Sequence, residues 1–371
     1  MTSDVLVVGG YGVVGRPLSQ RLAERDDCHV IAAGRSLERA AAFADSHEGV
    51  VPRRVDLADP STFGSALEGI DCVVVCVTTD DTAFVRATLE RGIDYVDLSP
   101  SDEFHRAVEK LDDVARTGDA RALLSVGLSP GVTNLLAVDA AERLETVKDV
   151  RIAVLLGVGE EIGRDTYEWA VDRSYGQFTV REHGGDRVVR SLSDPWTVTL
   201  PGHRRRRLYR YDLADQHALA RTADYPSVGT WLCYDSRVAT SLLAAGSWTG
   251  ATGVLVDRLD RDRVVDGLVR IADRSPLGGD PFVALAAVTG RVGGQRETVR
   301  RWIRGQDQGR ATALAAASMT AELLDADTPP GVHHSHEVLD VESIGRDLRT
   351  DGYRGGVETT TDGRKNSVEQ R

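Results

Sequence analysis

Three short stretches of this 371-residue chain carry residues whose types and spacing could do chemistry. In Tyr95-Val96-Asp97-Leu98-Ser99, Asp97 is a carboxylate at the end of an apolar run, placed to donate a proton or to orient a substrate amine. The same residue ahead of Pro100 also fits an Asx-turn or a helix cap. Gly127-Leu128-Ser129-Pro130-Gly131 closes another apolar run, and Pro130 suits the first turn of a helix whose N–H groups could hold a substrate carboxylate, a merely structural cap being the plainer alternative. Asp97 and Ser129 are therefore the candidates for catalysis, and Ser99, Pro130 and Gly131 the candidates for substrate binding.

The third stretch is Gly9-Gly10-Tyr11-Gly12-Val13-Val14-Gly15, between an apolar run at residues 5–8 and an amphipathic helix presenting Leu18, Leu22 and Ala23. Gly10, Gly12 and Gly15 form G-x-G-x-x-G. One glycine allows the tight turn, the next lets backbone approach a pyrophosphate, and the last lets helix pack on strand. The phosphates would meet free N–H groups at the helix N-terminus. Gly9, Gly10, Tyr11, Gly12, Val13, Val14 and Gly15 are thus candidate dinucleotide contacts.

All three stretches need a scaffold that ends several strands along one line. Apolar runs at residues 5–8, 28–33, 50–55, 71–77, 95–99 and 122–126 alternate with helical patterns, and the run around Cys72 to Val77 is continuously apolar, as in a strand covered on both faces. The expected fold class is α/β: an N-terminal Rossmann doubly wound parallel sheet with an inserted second α+β domain on a mixed or antiparallel sheet. At the end of the second strand an acid would bind the ribose of NAD, whereas an Arg accommodates a 2′-phosphate. This chain has Arg35 and Ser36 there and no acid, so NADP is favoured over NAD; a surface Arg opening a helix is the plainer alternative. Asp56, after the third strand, fits the adenine edge or a cap on the turn at Pro60, and Thr78 would border the cofactor crevice.

The remaining sequence sets the domain plan. Residues 1–140 form the dinucleotide-binding domain and 141–305 the α+β substrate and dimerisation domain. Residues 306–350 would be helices packing back on the first domain, and the polar tail from 355 to 371 is expected to be disordered. In the second domain the run His203-Arg204-Arg205-Arg206-Arg207 alternates faces if it is a strand, so at most two arginines point toward one ligand. A solvated surface or an intersubunit contact is the expected role. His333-His334-Ser335-His336 follows Pro329-Pro330 and is expected to be an exposed loop without metal.

Composition excludes some classes of partner. The net charge of −12, from 57 Asp and Glu against 45 Lys and Arg, argues against nucleic acid or an anionic membrane surface. No apolar run approaches the roughly 20 residues that span a bilayer. No signal-like segment precedes Val5, so a cytoplasmic location and a small-molecule substrate are expected. The four cysteines lack metal spacing. Positive charge comes almost wholly from Arg, a bias that fits a high-GC or salt-adapted source. The only lysines are Lys110, Lys148 and Lys365, and none follows a Tyr by four positions, so the Tyr–Lys pair of short-chain dehydrogenases is absent.

The stretches at Val7 to Gly15, Ala33-Gly34-Arg35-Ser36, Tyr95-Val96-Asp97 and Gly127 to Asn134 together resemble the saccharopine dehydrogenase-like family of NAD(P)-dependent oxidoreductases. The resemblance is firm over residues 3–140 and looser to about 350. It implies hydride transfer between NADPH and the carbon of an imine or secondary amine, and a homodimer through the second-domain sheet. Members acting on saccharopine carry Asp where this chain has Ser129, so the resemblance does not imply saccharopine itself as substrate. Two other readings compete: an atypical short-chain-type reductase or epimerase, and a non-enzymatic nucleotide-binding sensor or scaffold.

Overall fold

The computed structural model describes residues 2–158, 164–250, 252–254, 258, 261–274, 279–361 and 364–370. The chain divides into two compact units, one made of residues 1–131 and 309–340 and the other of residues 132–308 and 341–371.

Strands are numbered along the chain. The first unit contains β1 (Ser3–Val8), β2 (Cys28–Gly34), β3 (Val50–Arg54), β4 (Cys72–Val75), β5 (Asp94–Asp97), β6 (Arg121–Leu124) and, much later, β15 (Gly331–His334). They form one seven-stranded sheet in the order β15-β6-β5-β4-β1-β2-β3, with every pairing parallel. Strand order reverses at β1, whose neighbours are β2 and β4. This is the doubly wound α/β arrangement, and a crevice opens outside the carboxyl ends of β1 and β4 at such a switch point. Val73 and Val74 are fully buried and Val75 is 1% exposed, each worth about 1.5–3 kcal/mol of hydrophobic stabilisation. Their register with β1 and β5 is thereby fixed. Val8 pairs with Ala33 and Val75, and Val75 pairs with Asp97, so these four residues form one row across the sheet. Everything following that row opens on the same edge.

The second unit holds β7 (Thr146–Leu156), β8 (Gln177–Glu182), β9 (Gly185–Arg190), β10 (Trp196–Thr199), β11 (Arg205–Arg210), β12 (Val228–Tyr234), β13 (Pro281–Val292), β14 (Gln295–Gln306), β16 (Arg354–Thr361) and β17 (Arg364–Gln370). Eight of these make a mixed sheet, β10-β11-β12-β7-β13-β14-β16-β17, in which only β12 and β7 run parallel; β8 and β9 are a separate hairpin. One face packs Leu155, Leu208, Trp231, Val283 and Trp302 into an apolar cluster.

Three expectations need correction. The tail from residue 355 is not disordered over its described residues. Residues Arg354–Thr361 pair with β14 through eight residue pairs, and β17 pairs with β16 in turn; the β-branched run Thr359-Thr360-Thr361 suits a strand once a partner edge exists. The boundary at 140 moves back, because the helix Thr133–Glu142 belongs to the second unit, and residues 306–350 are split, with 341–350 in the second unit. The stretch at His333 is not an exposed loop. Gly331–His334 is a strand on β6, His334 is 3% exposed, and its ring nitrogens lie 2.8 Å from Ser125 Oγ and 3.1 Å from Glu109 Oε1. Burial and the His334 ring hold His336 down at about 3, so it stays neutral.

Candidate functional site

Directly past the end of β1 the backbone turns at Gly9, whose φ is +81°. The positive φ thus falls on Gly9 rather than on Gly10, the residue the fingerprint assigns to the turn. Gly9 donates its N–H to the Ala33 carbonyl at 2.7 Å, and Gly12 donates to the Gly9 carbonyl at 2.8 Å. Gly10 is held by the Ser19 hydroxyl, which donates to its carbonyl at 3.1 Å. A Cβ on Gly15 would sit 2.1 Å from the Gly9 carbonyl oxygen, so helix Gly15–Ala23 reaches the turn only because position 15 has no side chain. A Cβ on Gly12 would have a single neighbour within 4 Å, so this face is open for the close approach of a ligand. The N–H groups of Tyr11, Val13 and Val14 make no hydrogen bond among the described residues. Free donors of this kind at a helix N-terminus favour an anion.

Beside it, at the end of β2, Arg35 is exposed and has no carboxylate partner among the described residues. Ser36 caps the next helix, Leu37–Ala44, accepting from the Arg39 N–H at 3.2 Å. The Tyr11 hydroxyl accepts from the Ser36 N–H at 3.4 Å, and the Arg39 guanidinium lies 5.1 Å from the Tyr11 ring centroid. Two arginines, Tyr11 and Ser36 therefore cluster where the second half of a dinucleotide would lie. Sequence reasoning missed Arg39, although its spacing of four from Arg35 across a predicted helix start was a usable signal.

Asp56 is half-buried and accepts from the Ala58 N–H at 3.1 Å. The cap on the Pro60 turn is Asp59, which accepts from the Ser61 N–H at 3.1 Å, so capping by Asp56 is not what the fold uses. Thr78 is exposed, two residues beyond Cys76 in the loop that follows β4.

Asp97 closes the row that begins at Val8, two strands and roughly 10 Å away. It is 1% exposed. The Tyr95 hydroxyl donates to one carboxylate oxygen at 2.6 Å and the Ser99 N–H to the other at 2.7 Å. The second bond closes an Asx-turn. Ser99 Oγ then accepts from the Ser101 N–H at 3.2 Å, and Ser101 Oγ caps helix Asp102–Glu109. Burial pushes Asp97 up to about 6, against the lowering effect of its two hydrogen bonds. Burial, with the Asp97 charge added, pushes the neighbouring Cys76 thiol up to about 12, so it stays a thiol. Tyr95 also escaped sequence reasoning, yet it lies two positions before Asp97 and so on the same strand face.

The raised Asp97 makes a signed prediction. The folded protein binds this proton more tightly than the unfolded chain does, so stability from this group is complete below about pH 4 and is lost as pH rises toward about 6. Asp97→Asn should therefore gain stability relative to the parent by about 2 kcal/mol more at about pH 7.5 than at about pH 4.5. Urea unfolding of both proteins at both pH values checks it, and an equal difference at the two would refute it.

Ser129, Pro130 and Gly131 do not open a helix as expected. All three have non-helical dihedrals, the Ser129–Pro130 peptide is cis, Gly131 has φ +128°, and the helix begins at Thr133. A Cβ on Gly131 would meet the Ser125 carbonyl oxygen at 3.0 Å. Ser129 is half-buried and Pro130 buried. The turn therefore follows β6 within the first unit, while Asp97 ends β5, and the two belong to neighbouring strand ends.

Among the described residues no group of three or more His, Cys, Asp or Glu is placed to hold a metal ion. No described helix is long and apolar enough to cross a membrane.

The family model for the saccharopine dehydrogenase NADP binding domain matches residues 5–123. No curated protein matches the sequence of this chain. Among solved structures, the apo, histidine-tagged saccharopine dehydrogenase (L-Glu forming) from Saccharomyces cerevisiae aligns at 16% identity with a TM-score of 0.67. The alignment covers 99% of this chain and all (100%) of that one. The DAP dehydrogenase of C. glutamicum, solved in complex with DAP, aligns at 16% identity and a TM-score of 0.48, over 95% of this chain and 100% of that one. At its identity the yeast alignment speaks for the fold.

Proposed function

We propose that this chain, saccharopine dehydrogenase-like in its cofactor domain, is an NADP(H)-dependent oxidoreductase acting on an imine or secondary amine of an amino-acid-derived substrate. The observation that carries the reading is the open glycine turn, with its unbonded N–H groups, set beside an acid-free β2 end that presents Arg35. These residues fit the dinucleotide: Gly9 to Gly15 would hold the pyrophosphate, and Arg35, with Ser36 and Arg39, a 2′-phosphate. The bound nicotinamide would supply or accept the hydride.

The chain's own residues bind, orient and hold a proton. Asp97, kept partly protonated near neutral pH by burial, is the group that would hold the proton for the substrate nitrogen, with Tyr95 and the Ser99 N–H fixing its two oxygens. The turn at Ser129, Pro130 and Gly131 lies at the next strand end and would orient the substrate.

The test is a fluorescence titration with NADPH and NADH. NADPH is expected to bind more tightly, and Arg35→Asp to weaken NADPH by about ten- to thirty-fold while leaving NADH nearly unchanged. Equal binding of both cofactors by the parent chain would remove the NADP assignment. Binding of neither would remove the enzymatic one.

A further inference from the structure

Every chemical group considered so far lies in the first unit. The second unit has a cavity of about 540 Å³ bordered by the end of β11, by β12 and by helix Arg237–Thr249. Arg205, Arg206, Arg207 and Arg237 line it, together with the tyrosines Tyr209 and Tyr234, and among the described residues no carboxylate lines it. That is unusual for a chain of net charge −12. Other arginines of this unit are held by acids: Arg173 by Asp212, Arg210 by Glu182, Arg300 by Glu358 and Arg301 by Asp139.

The cavity arginines have no such partner among the described residues. Arg206 Nε is buried and donates to no acceptor among the described residues. Arg207 stacks on the Tyr209 ring, 5.5 Å from its centroid, which orients it without neutralising it. Arg237 donates to the Arg205 backbone carbonyl at 3.2 Å, so it too keeps its full charge. The acid nearest Arg237 in sequence, Asp235, accepts from the N–H groups of Val158, Ser236 and Gly279 at 3.1, 2.7 and 3.0 Å and pairs with no arginine among the described residues. Four guanidiniums brought together without counter-charge repel one another, and such an arrangement is stabilised by an anion.

We propose that this cavity binds a small organic dianion carrying two separated carboxylates. The volume lies in the range of small-molecule sites, roughly 300–1,000 Å³. Guanidinium forks recognise carboxylates through paired hydrogen bonds. Arg205, Arg206 and Arg207 line the cavity from β11 and Arg237 from the helix, so the whole run reaches it, more than the two members that strict alternation allows, and the guanidiniums stand on two walls. One compact oxyanion cannot use both walls, whereas a short chain with a carboxylate at each end can. Burial pushes Tyr234 up to about 12, so its hydroxyl remains available as a donor. The site stands on the second unit alone and does not rest on the cofactor reading.

Calorimetric titration of the full chain with glutarate, butyrate and inorganic phosphate, at constant ionic strength, tests it. Glutarate is expected to bind saturably at one site, with butyrate and phosphate at least about ten-fold weaker. Arg206→Gln and Arg207→Gln should each weaken glutarate about ten-fold. Arg207 is exposed, so its variant reads binding with the fold left intact, as near-UV circular dichroism would report. Absence of glutarate binding, phosphate binding as tight as glutarate, or unchanged affinity in Arg207→Gln would each overturn the assignment.

Discussion

Gly15→Ala is expected to abolish measurable NADPH binding and to destabilise the protein by about 3 kcal/mol. The added Cβ would lie 2.1 Å from the Gly9 carbonyl oxygen and 2.7 Å from its carbon, both backbone atoms that no rotamer change can move. Relief requires the helix to slide away from the turn. That motion breaks the Gly12-to-Gly9 hydrogen bond and disperses the N–H groups at the helix N-terminus. Gly64→Ala is the control: nothing lies within 4 Å of its Cβ, and helical Gly to Ala should be neutral or slightly stabilising. Urea unfolding and a fluorescence titration of both variants check the pair. Retained NADPH binding in Gly15→Ala would mean that the cofactor does not use this turn.

Arg121→Ala carries the second large effect, a loss of about 3 kcal/mol. The Arg121 guanidinium pairs with Asp94 on the adjacent strand, and its Nη1 donates to the carbonyls of Leu323 and Ala326 at 2.7 and 2.9 Å. It therefore ties β5 and β6 to the end of helix Gln308–Asp325 within one unit. Removing it leaves Asp94, 8% exposed, as an uncompensated buried charge and strips two carbonyls of their donor. Adding Asp94→Asn to Arg121→Ala should recover part of the loss, because it removes the stranded charge. Chemical denaturation of both single variants and the double variant measures the coupling. Additive losses would show that the two side chains act separately.

The first unit was largely legible because its physics is local. Val5 to Val8 and Cys72 to Val77 are apolar without interruption, which only a strand covered on both faces requires, and the glycines follow at once. The site was legible as far as strand ends could be counted. Asp97 emerged because it ends such a run, but its Tyr95 partner was overlooked. The loop at Ser129 was misread because Pro130 suits a helix start as well as it suits a non-helical turn, and the choice between them is made by packing around Gly131.

Distant partners account for the other misreadings. Gly331-Val332-His333-His334 has no strand pattern of its own, and its histidine is buried because Ser125 and Glu109, some two hundred residues earlier, accommodate its ring. The threonines near residue 360 likewise become a strand only beside β14.

The late strand β15 has a consequence for how the protein is made. When residue 131 leaves the ribosome, six strands of the cofactor sheet exist, but the carbonyls that hold Arg121 and the strand that covers the β6 edge have not been synthesised. For about two hundred further residues that edge is an unpaired template of N–H and C=O groups, open to the nascent second unit or to another chain. The first unit is begun before the second and finished only after most of the second has been made. Its acquisition of cofactor is thereby tied to completion of nearly the whole chain, so a truncated product stalled before β15 would lack the strand that seals the sheet.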